Sequence, residues 1–232
     1  MATMNLPTGS EKHVAVRNMF NRIAPRYDLL NRLVSLGLDQ GWRRRTLEIV
    51  DVRPGDLVLD LACGTGDFSE LARARGARVI GLDFAREMLR GAAIRELDVH
   101  FTNGDAERLP LADASVDVVT CGFALRNFVS LEEVFQEMAR VLKPGGRIAI
   151  LEVDRPASTL VRVGHSLYFD RFVPVLGGLL SDREAYRYLP ASTAYLPPPD
   201  ELFAMLNKAE FEFVVKKRLL LGAAQILTGR RA

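Results

Sequence analysis

Residues 57–68, LVLDLACGTGDF, constrain this chain more than any other stretch. A short apolar run, Leu57, Val58 and Leu59, stops at Asp60, breaks into Gly64-Thr65-Gly66 and gives way to helical patterning. A strand that turns through glycines into a helix makes a cradle. Glycine lets backbone N–H groups come close to a ligand, and the helix N-terminus adds a favourable dipole. Ser69 stands where a G-x-G-x-x-G dinucleotide motif carries its third glycine. That argues against a pyrophosphate and leaves room for an adenosyl ligand without phosphates.

Two further acids follow in order. Residues 78–82, RVIGL, read as the next strand and end at Asp83, where a carboxylate can hold both hydroxyls of a ribose. Residues 99–103 read as a third strand before Gly104-Asp105-Ala106, where an acid can meet an adenine amino group. Three strands, each ending in a polar residue at one sheet edge, describe a single crevice. Asp83 equally suits a helix N-cap, and Asp105 a simple turn. Asp60 is expected to orient the glycine loop rather than touch the ligand, and Glu107 to be a solvated charge.

The strand–helix alternation runs on, with strands at 57–61, 78–82, 99–103, 116–121 and 147–151 and helices at 67–75, 85–96 and 130–141. It implies a parallel sheet with helices on both faces. Residues 211–218 and 223–228 read as an antiparallel edge hairpin. Val16, Met19, Phe20 and Ile23 recur at helical spacing in a helical stretch that Pro25 breaks. The expected organisation is one domain over 1–232. It comprises an N-terminal helical cap (11–50), a ligand-binding core (51–152), a helical lid or substrate segment (153–195), and a C-terminal helix with edge strands (196–232).

Composition removes other classes. Hydrophobic residues make up 48% and charged residues 26%, as in an ordinary folded domain, and a net charge of +2 gives nucleic acid no footing. Cys63 and Cys121 have no metal or redox spacing, and free thiols fit a reducing cytoplasm. His13, His100 and His165 are scattered, so no metal is expected and a satisfied surface or core role is the default. The opening residues MATMNLPTGSEKH have no signal-peptide core. The apolar run at 169–180 is interrupted by Arg171, Pro174, Gly177 and Gly178, too often to span a bilayer.

Arg126-Asn127 within GFALRNF is the sharpest feature after the cradle. It follows the 116–121 strand and so lies at the carboxyl edge, where α/β sheets bind ligands. An arginine and an asparagine between Leu125 and Phe128 are expensive to place there without a partner. Two readings stand: a polar contact to an acceptor hydroxyl, or a helix cap with a structural salt bridge. Tyr27 is either a site residue or a core aromatic. Tyr186, Tyr188 and Tyr195 either stack on a substrate or pack a helical lid.

LDLACGTGDF, GLDF, GDAERLPLADASVDVV and RVLKPGGRIAI resemble the successive motifs of class I S-adenosylmethionine (SAM) methyltransferases. MFNRIAPRYDLLNRLVSLGLDQGWRR, GFALRNF and YRYLPAS resemble the demethylmenaquinone/2-polyprenyl-1,4-benzoquinol C-methyltransferase family. The resemblance runs from about residue 16 to about residue 213, and LLLGAAQILTGRRA matches less well. It implies a Rossmann-like α/β fold, a mostly parallel sheet with an antiparallel C-terminal hairpin. It implies SAM as cofactor, held by Asp60, Gly64, Thr65, Gly66, Asp83, Asp105, Ala106 and Gly122. It implies methyl transfer to a ring carbon of a reduced polyprenyl quinol, with Arg126, Asn127 and Tyr27 as catalytic residues and the segment around Tyr27 closing over the cofactor. No metal is needed for this route.

A lipid-tailed acceptor implies a cytoplasmic protein in peripheral contact with the inner face of the membrane. Residues 29–45 and 165–180, which mix Leu, Val and Phe with Arg, are candidate surfaces for that contact or amphipathic helices packed on the sheet. Competing readings are a methyltransferase acting at oxygen or nitrogen of another small molecule, a non-catalytic SAM-binding partner, and a dehydrogenase, which Ser69 disfavours. Naphthoquinol versus benzoquinol, tail length and oligomeric state, a homodimer included, stay open.

Overall fold

The computed structural model describes residues 6–154 and 183–232. Seven strands run along the chain: β1 (Leu57–Leu61), β2 (Arg78–Asp83), β3 (His100–Asn103), β4 (Val116–Gly122), β5 (Leu142–Val153), β6 (Phe211–Leu219) and β7 (Ala224–Arg231). They form one sheet in the order β3-β2-β1-β4-β5-β7-β6. The first five pair in parallel, and β7 runs antiparallel to both β5 and β6. Ala224, Gln225, Ile226 and Leu227 are all buried, which suits β7 to its interior place. β6, with most of its side chains half-buried or exposed, forms the edge.

Side chains alternate across the sheet, as the two-residue period of a strand requires. Leu59, Leu61, Val119, Cys121, Ile148, Ile150 and Leu227 face one core with α6 (Leu131–Val141) and a C-terminal helix at Pro199–Lys208. Val58, Val118, Ala149, Leu151 and Ile226 face the other, with α3 (Leu38–Ile49) and α4 (Asp67–Arg73). Helices thus cover both faces, as a parallel sheet demands.

The N-terminal stretch divides where the expected cap does not. Helix α1 (Gly9–Ile23) gives way to a 3-10 turn at Ala24–Arg26 that holds Pro25, and then to α2 (Tyr27–Val34). Val16, Met19, Ile23 and Leu30 cluster with Ala185 and Tyr188 of α7 (Arg183–Ser192), apart from the two sheet cores. Helix α3 instead belongs to the sheet layer, through Leu47 and the following Val50. Helices α1 and α2 thus share a cluster of their own, whereas α3 packs with the sheet. Most of the expected lid, including the 165–180 surface, lies outside the described residues. No described helix is long and apolar enough to cross a membrane.

Candidate active site

The strand ends put the motif residues at one sheet edge. Gly64 (φ 57°) and Gly66 (φ 90°) have left-handed backbone, which glycine adopts without steric cost. A Cβ on Gly64 would also lie 3.2 Å from the Met88 methyl. Asp83 holds this loop from the next strand. One carboxylate oxygen accepts from the Gly64 N–H at 2.9 Å and the other from Ala85 N–H at 2.8 Å. Burial pushes the Asp83 carboxyl up to about 6, against the pull of those backbone hydrogen bonds.

Asp60 works one step behind. Its Oδ2 accepts from the Ser69 N–H at 2.9 Å and the Ser69 hydroxyl at 2.7 Å, and its Oδ1 from the Thr120 hydroxyl at 3.2 Å. These hydrogen bonds fix the first turn of α4. Ser69, the residue that breaks the dinucleotide pattern, is thus the partner that locks helix to strand. Burial raises Asp60 to about 6. Burial also raises the Cys63 and Cys121 thiols well above their usual value, which makes them poor nucleophiles.

A cavity of about 630 Å³, counting its open mouth, lies over these strand ends. Its wall includes Gly64, Asp83, Asp105 and Ala106 together with the rings of Phe20, Phe84, Phe123 and Phe128, and Val129 and Asn127. A smaller cavity of about 300 Å³ shares Tyr27, Ala62, Gly64 and Gly122 and reaches Asp60, Thr65 and Arg43. Tyr27 therefore stands between the two. Burial raises its phenol above the ordinary value, so it keeps its proton at neutral pH. Gly122 leaves space taken by an aromatic ring, since a Cβ there would lie 2.8 Å from Phe68. Gly66 lines neither cavity and serves the turn.

This constellation fits an adenosyl sulfonium. Asp105 closes a turn by accepting from Glu107 N–H at 3.0 Å, and its other oxygen lies 3.6 Å from His13 Nδ1. Arg43, buried at the second cavity, has an Nε with no hydrogen-bond partner and stacks over Phe68 and Phe123. Among the described residues no cluster of His, Cys, Asp or Glu has the makings of a metal site.

Arg126 is not in the cavity wall. Only 6% exposed, it pairs through Nη1 with Glu152, fully buried near the end of β5, while its Nε donates to the Ser192 hydroxyl at 3.2 Å. A guanidinium taken out of water needs such a counter-charge, and nothing near Arg126 in sequence announces Glu152. Asn127 does line the cavity. Its Oδ1 accepts from the Tyr188 hydroxyl at 3.2 Å and its Nδ2 donates to the Phe123 carbonyl at 3.4 Å.

Several residues carry more than their sequence suggests. His13 is a cavity residue, packed edge-on against Phe84 at 5.5 Å between ring centres. Glu107 is no free charge: it accepts from the N–H groups of Val129 and Ser130 at 3.0 and 2.9 Å and fixes the turn before α6. Lys12 is buried, donates to the Phe128 carbonyl at 2.5 Å and sits 3.6 Å over the Tyr195 ring. Tyr195 in turn donates to the Pro7 carbonyl, so it clasps the cap and does not line the cavity. Asp28 accepts from the Thr65 hydroxyl and ties α2 to the glycine loop. The side chain of Tyr186 lies outside the described residues.

The model described as the ubiE/COQ5 methyltransferase family matches residues 8–231. The chain belongs to that family. It is a methyltransferase, and S-adenosylmethionine is its cofactor. A protein named demethylmenaquinone methyltransferase from Roseiflexus sp. (strain RS-1) is 42% identical over 234 residues, 99% of this chain and 98% of that one. One of the same name from Thermus thermophilus is 45% identical over 220 residues, 92% of this chain and 100% of that one. A SAM-dependent methyltransferase of Thermotoga maritima shares the fold, with a TM-score of 0.67, 20% identity, and coverage of 94% of this chain and all of that one.

Proposed function

We propose that this enzyme methylates a ring carbon of a reduced polyprenyl quinol, of the naphthoquinol type, in quinone biosynthesis. The observation that carries the reading is one cavity whose wall combines carboxylates and glycine backbone with aromatic rings and a single amide. The names of the two relatives support the naphthoquinol.

Bound S-adenosylmethionine supplies a methyl group on a positively charged sulfur, a donor that needs no further activation. Asp83 takes the ribose hydroxyls, Asp105 and Ala106 the adenine, and Gly64, Thr65 and Gly122 shape the cradle, while Asp60 and Gly66 hold its turn. Tyr27 and Phe123 close the reacting region against water, so the site's main contribution is position. Asn127, held by Tyr188, hydrogen-bonds one acceptor hydroxyl; loss of that proton to water pushes electron density onto the ring. The ring carbon bonds the methyl as the methyl–sulfur bond breaks, and the ring hydrogen leaves as a proton. Arg126 acts as a positioning residue: its pair with Glu152 fixes the turn that presents Asn127. An isoprenoid tail places the acceptor in a bilayer, and the protein in peripheral contact with its cytoplasmic face.

The test is methyl transfer from labelled SAM to short-chain demethylmenaquinol and to the matching benzoquinol, each with and without dithionite. Transfer to the reduced naphthoquinol is expected. Equal turnover of the oxidised quinone would sink the mechanism, because an oxidised ring has no hydroxyl to deprotonate.

A further inference from the structure

Three leucines are exposed where a leucine is least expected. Leu36, Leu220 and Leu221 are 73%, 56% and 78% exposed, and all three have left-handed backbone, with φ of 53°, 40° and 54°. A bulky residue rarely adopts that conformation, which glycine or asparagine enters at lower cost. Turns built for their own sake would carry those residues. Strain kept at such a position points to a use for the side chain.

The three leucines share one side of the molecule. Leu36 precedes α3, whose Gln40 donates to Asp67 just past the glycine loop, so this corner lies at the carboxyl edge. Leu220 and Leu221 form the tip between β6 and β7, closed by the Leu219–Ala224 pair beside Val153 at the end of β5, again at the carboxyl edge. Leu219 and Trp42 of α3 pack on the same apolar cluster. Leu29 of α2 and Leu38 at the start of α3 are also exposed.

The surrounding charge is net positive. Between residues 25 and 48 the exposed charged side chains are Arg26, Arg32, Arg44, Arg45 and Glu48, the last paired with Arg45. Lys217 and Arg218 are exposed just before the hairpin tip, Arg218 with Asp154 as a partner at 3.6 Å. Apolar side chains ringed by cations match the interface of an anionic bilayer, where the leucines enter the acyl boundary and the cations meet headgroups.

We propose that the α2–α3 corner and the β6–β7 tip together form the surface by which this enzyme docks on anionic lipid, at the sheet edge that holds the active-site cavity. The proposal rests on the quinol reading only for why an enzyme of this kind would sit there; the surface stands on the leucines and arginines themselves.

The test uses the full chain and co-sedimentation with vesicles of phosphatidylglycerol mixed with phosphatidylcholine, and of phosphatidylcholine alone. Wild type should bind the anionic vesicles and release them at high salt. The combined variant Leu36→Asn, Leu220→Asn and Leu221→Asn removes the apolar tips while easing the backbone. Its melting temperature should stay level or rise, and vesicle binding should weaken roughly tenfold or more. Phe213→Asn is the control: Phe213 is 77% exposed with φ 51°, but it lies toward the opposite sheet edge, where Glu212 pairs with Arg230. It should leave binding unchanged.

Methyl transfer to a short-chain, detergent-soluble quinol should be equal in wild type and the triple variant. The docking proposal is overturned if wild type ignores anionic vesicles or if the triple variant binds like wild type. It is also overturned if wild type is a dimer that the triple variant makes monomeric, since a second copy would then own the surface. Absence of methyl transfer by wild type would overturn the quinol reading and leave the vesicle result standing.

Discussion

The two parts of the cavity wall proposed for cofactor and acceptor are held in different ways. At the proposed cofactor end, carboxylates of Asp60 and Asp83 grip backbone N–H groups 9 and 19 residues away. At the proposed acceptor end, side chains reach much farther: Asn127 to Tyr188 across 61 residues, and Lys12 to the Phe128 carbonyl across 116. The first kind of support comes with the sheet. The second exists only once the cap and α7 have docked. The cofactor end, which the cap also touches through Asp28 and His13, should therefore lose less of its shape than the acceptor end when the cap is perturbed.

The strongest way to break this comparison is the Arg126–Glu152 pair. Arg126→Met leaves a fully buried carboxylate without its counter-charge, and Glu152→Leu strands the guanidinium. Each should cost about 3–5 kcal/mol in urea unfolding, and the double variant should recover much of the loss. SAM affinity of the still-folded fraction should change far less. If Arg126→Met instead leaves stability untouched while kcat falls ~100-fold, Arg126 reaches the reacting atoms and stabilises charge there directly.

The same contrast explains what is legible in the sequence. The β1 strand, the glycine loop and the terminal acids of β1 and β2 form local patterns, so the sheet and the adenosyl crevice can be read from consecutive residues. The order β5-β7-β6 agrees with the expected C-terminal hairpin, with β7 buried on both faces over Ala224–Leu227. Arg126 is visible as a costly charge, but its partner is not, because ion pairing between a turn and a strand end leaves no spacing to recognise. His13 and Lys12 look like ordinary helix polars, since nothing in the period of α1 reveals that its first turns lie over a cavity. The cap expected over 11–50 takes in α3 because a helical period does not say which layer a helix joins.

An intermediate effect should come from Asp83. Asp83→Asn keeps the size but weakens both the loop contacts and the acceptance of ribose hydroxyls. Calorimetry should show SAM binding weaker by about 1–3 kcal/mol. The wild-type affinity should also fall as pH drops through about 6, where burial has moved this carboxyl, because the protonated acid accepts fewer hydrogen bonds. Fold stability should move the other way. A carboxyl raised from 3.8 to about 6 in the folded state binds its proton more tightly than in the unfolded chain, so its contribution to stability grows as pH falls from about 6 towards 4. A flat SAM affinity between pH 7.5 and 5 would mean that Asp83 serves the loop alone.

The smallest expected effect tests the acceptor end through Lys12. Burial lowers its ammonium from 10.5 to about 8, with Glu107 pulling the other way, while it donates to the Phe128 carbonyl and lies over Tyr195. A folded-state pKa below the unfolded one means that the unfolded chain holds more protons between about 8 and 10.5, so this lysine's contribution to stability rises with pH across that window. The check is urea unfolding of wild type and Lys12→Met at pH 7.5 and 10, read as the change in their difference, which cancels every other titrating group. Wild type should gain on the variant by on the order of 1 kcal/mol, limited because a long side chain can swing its charge towards water. A loss with rising pH would show that the ammonium stabilises the clasp outright, through the carbonyl, the ring and Glu107 together. The cap would then be held on the acceptor loop by a charge, and the acceptor end would loosen in base while the cofactor end stayed closed.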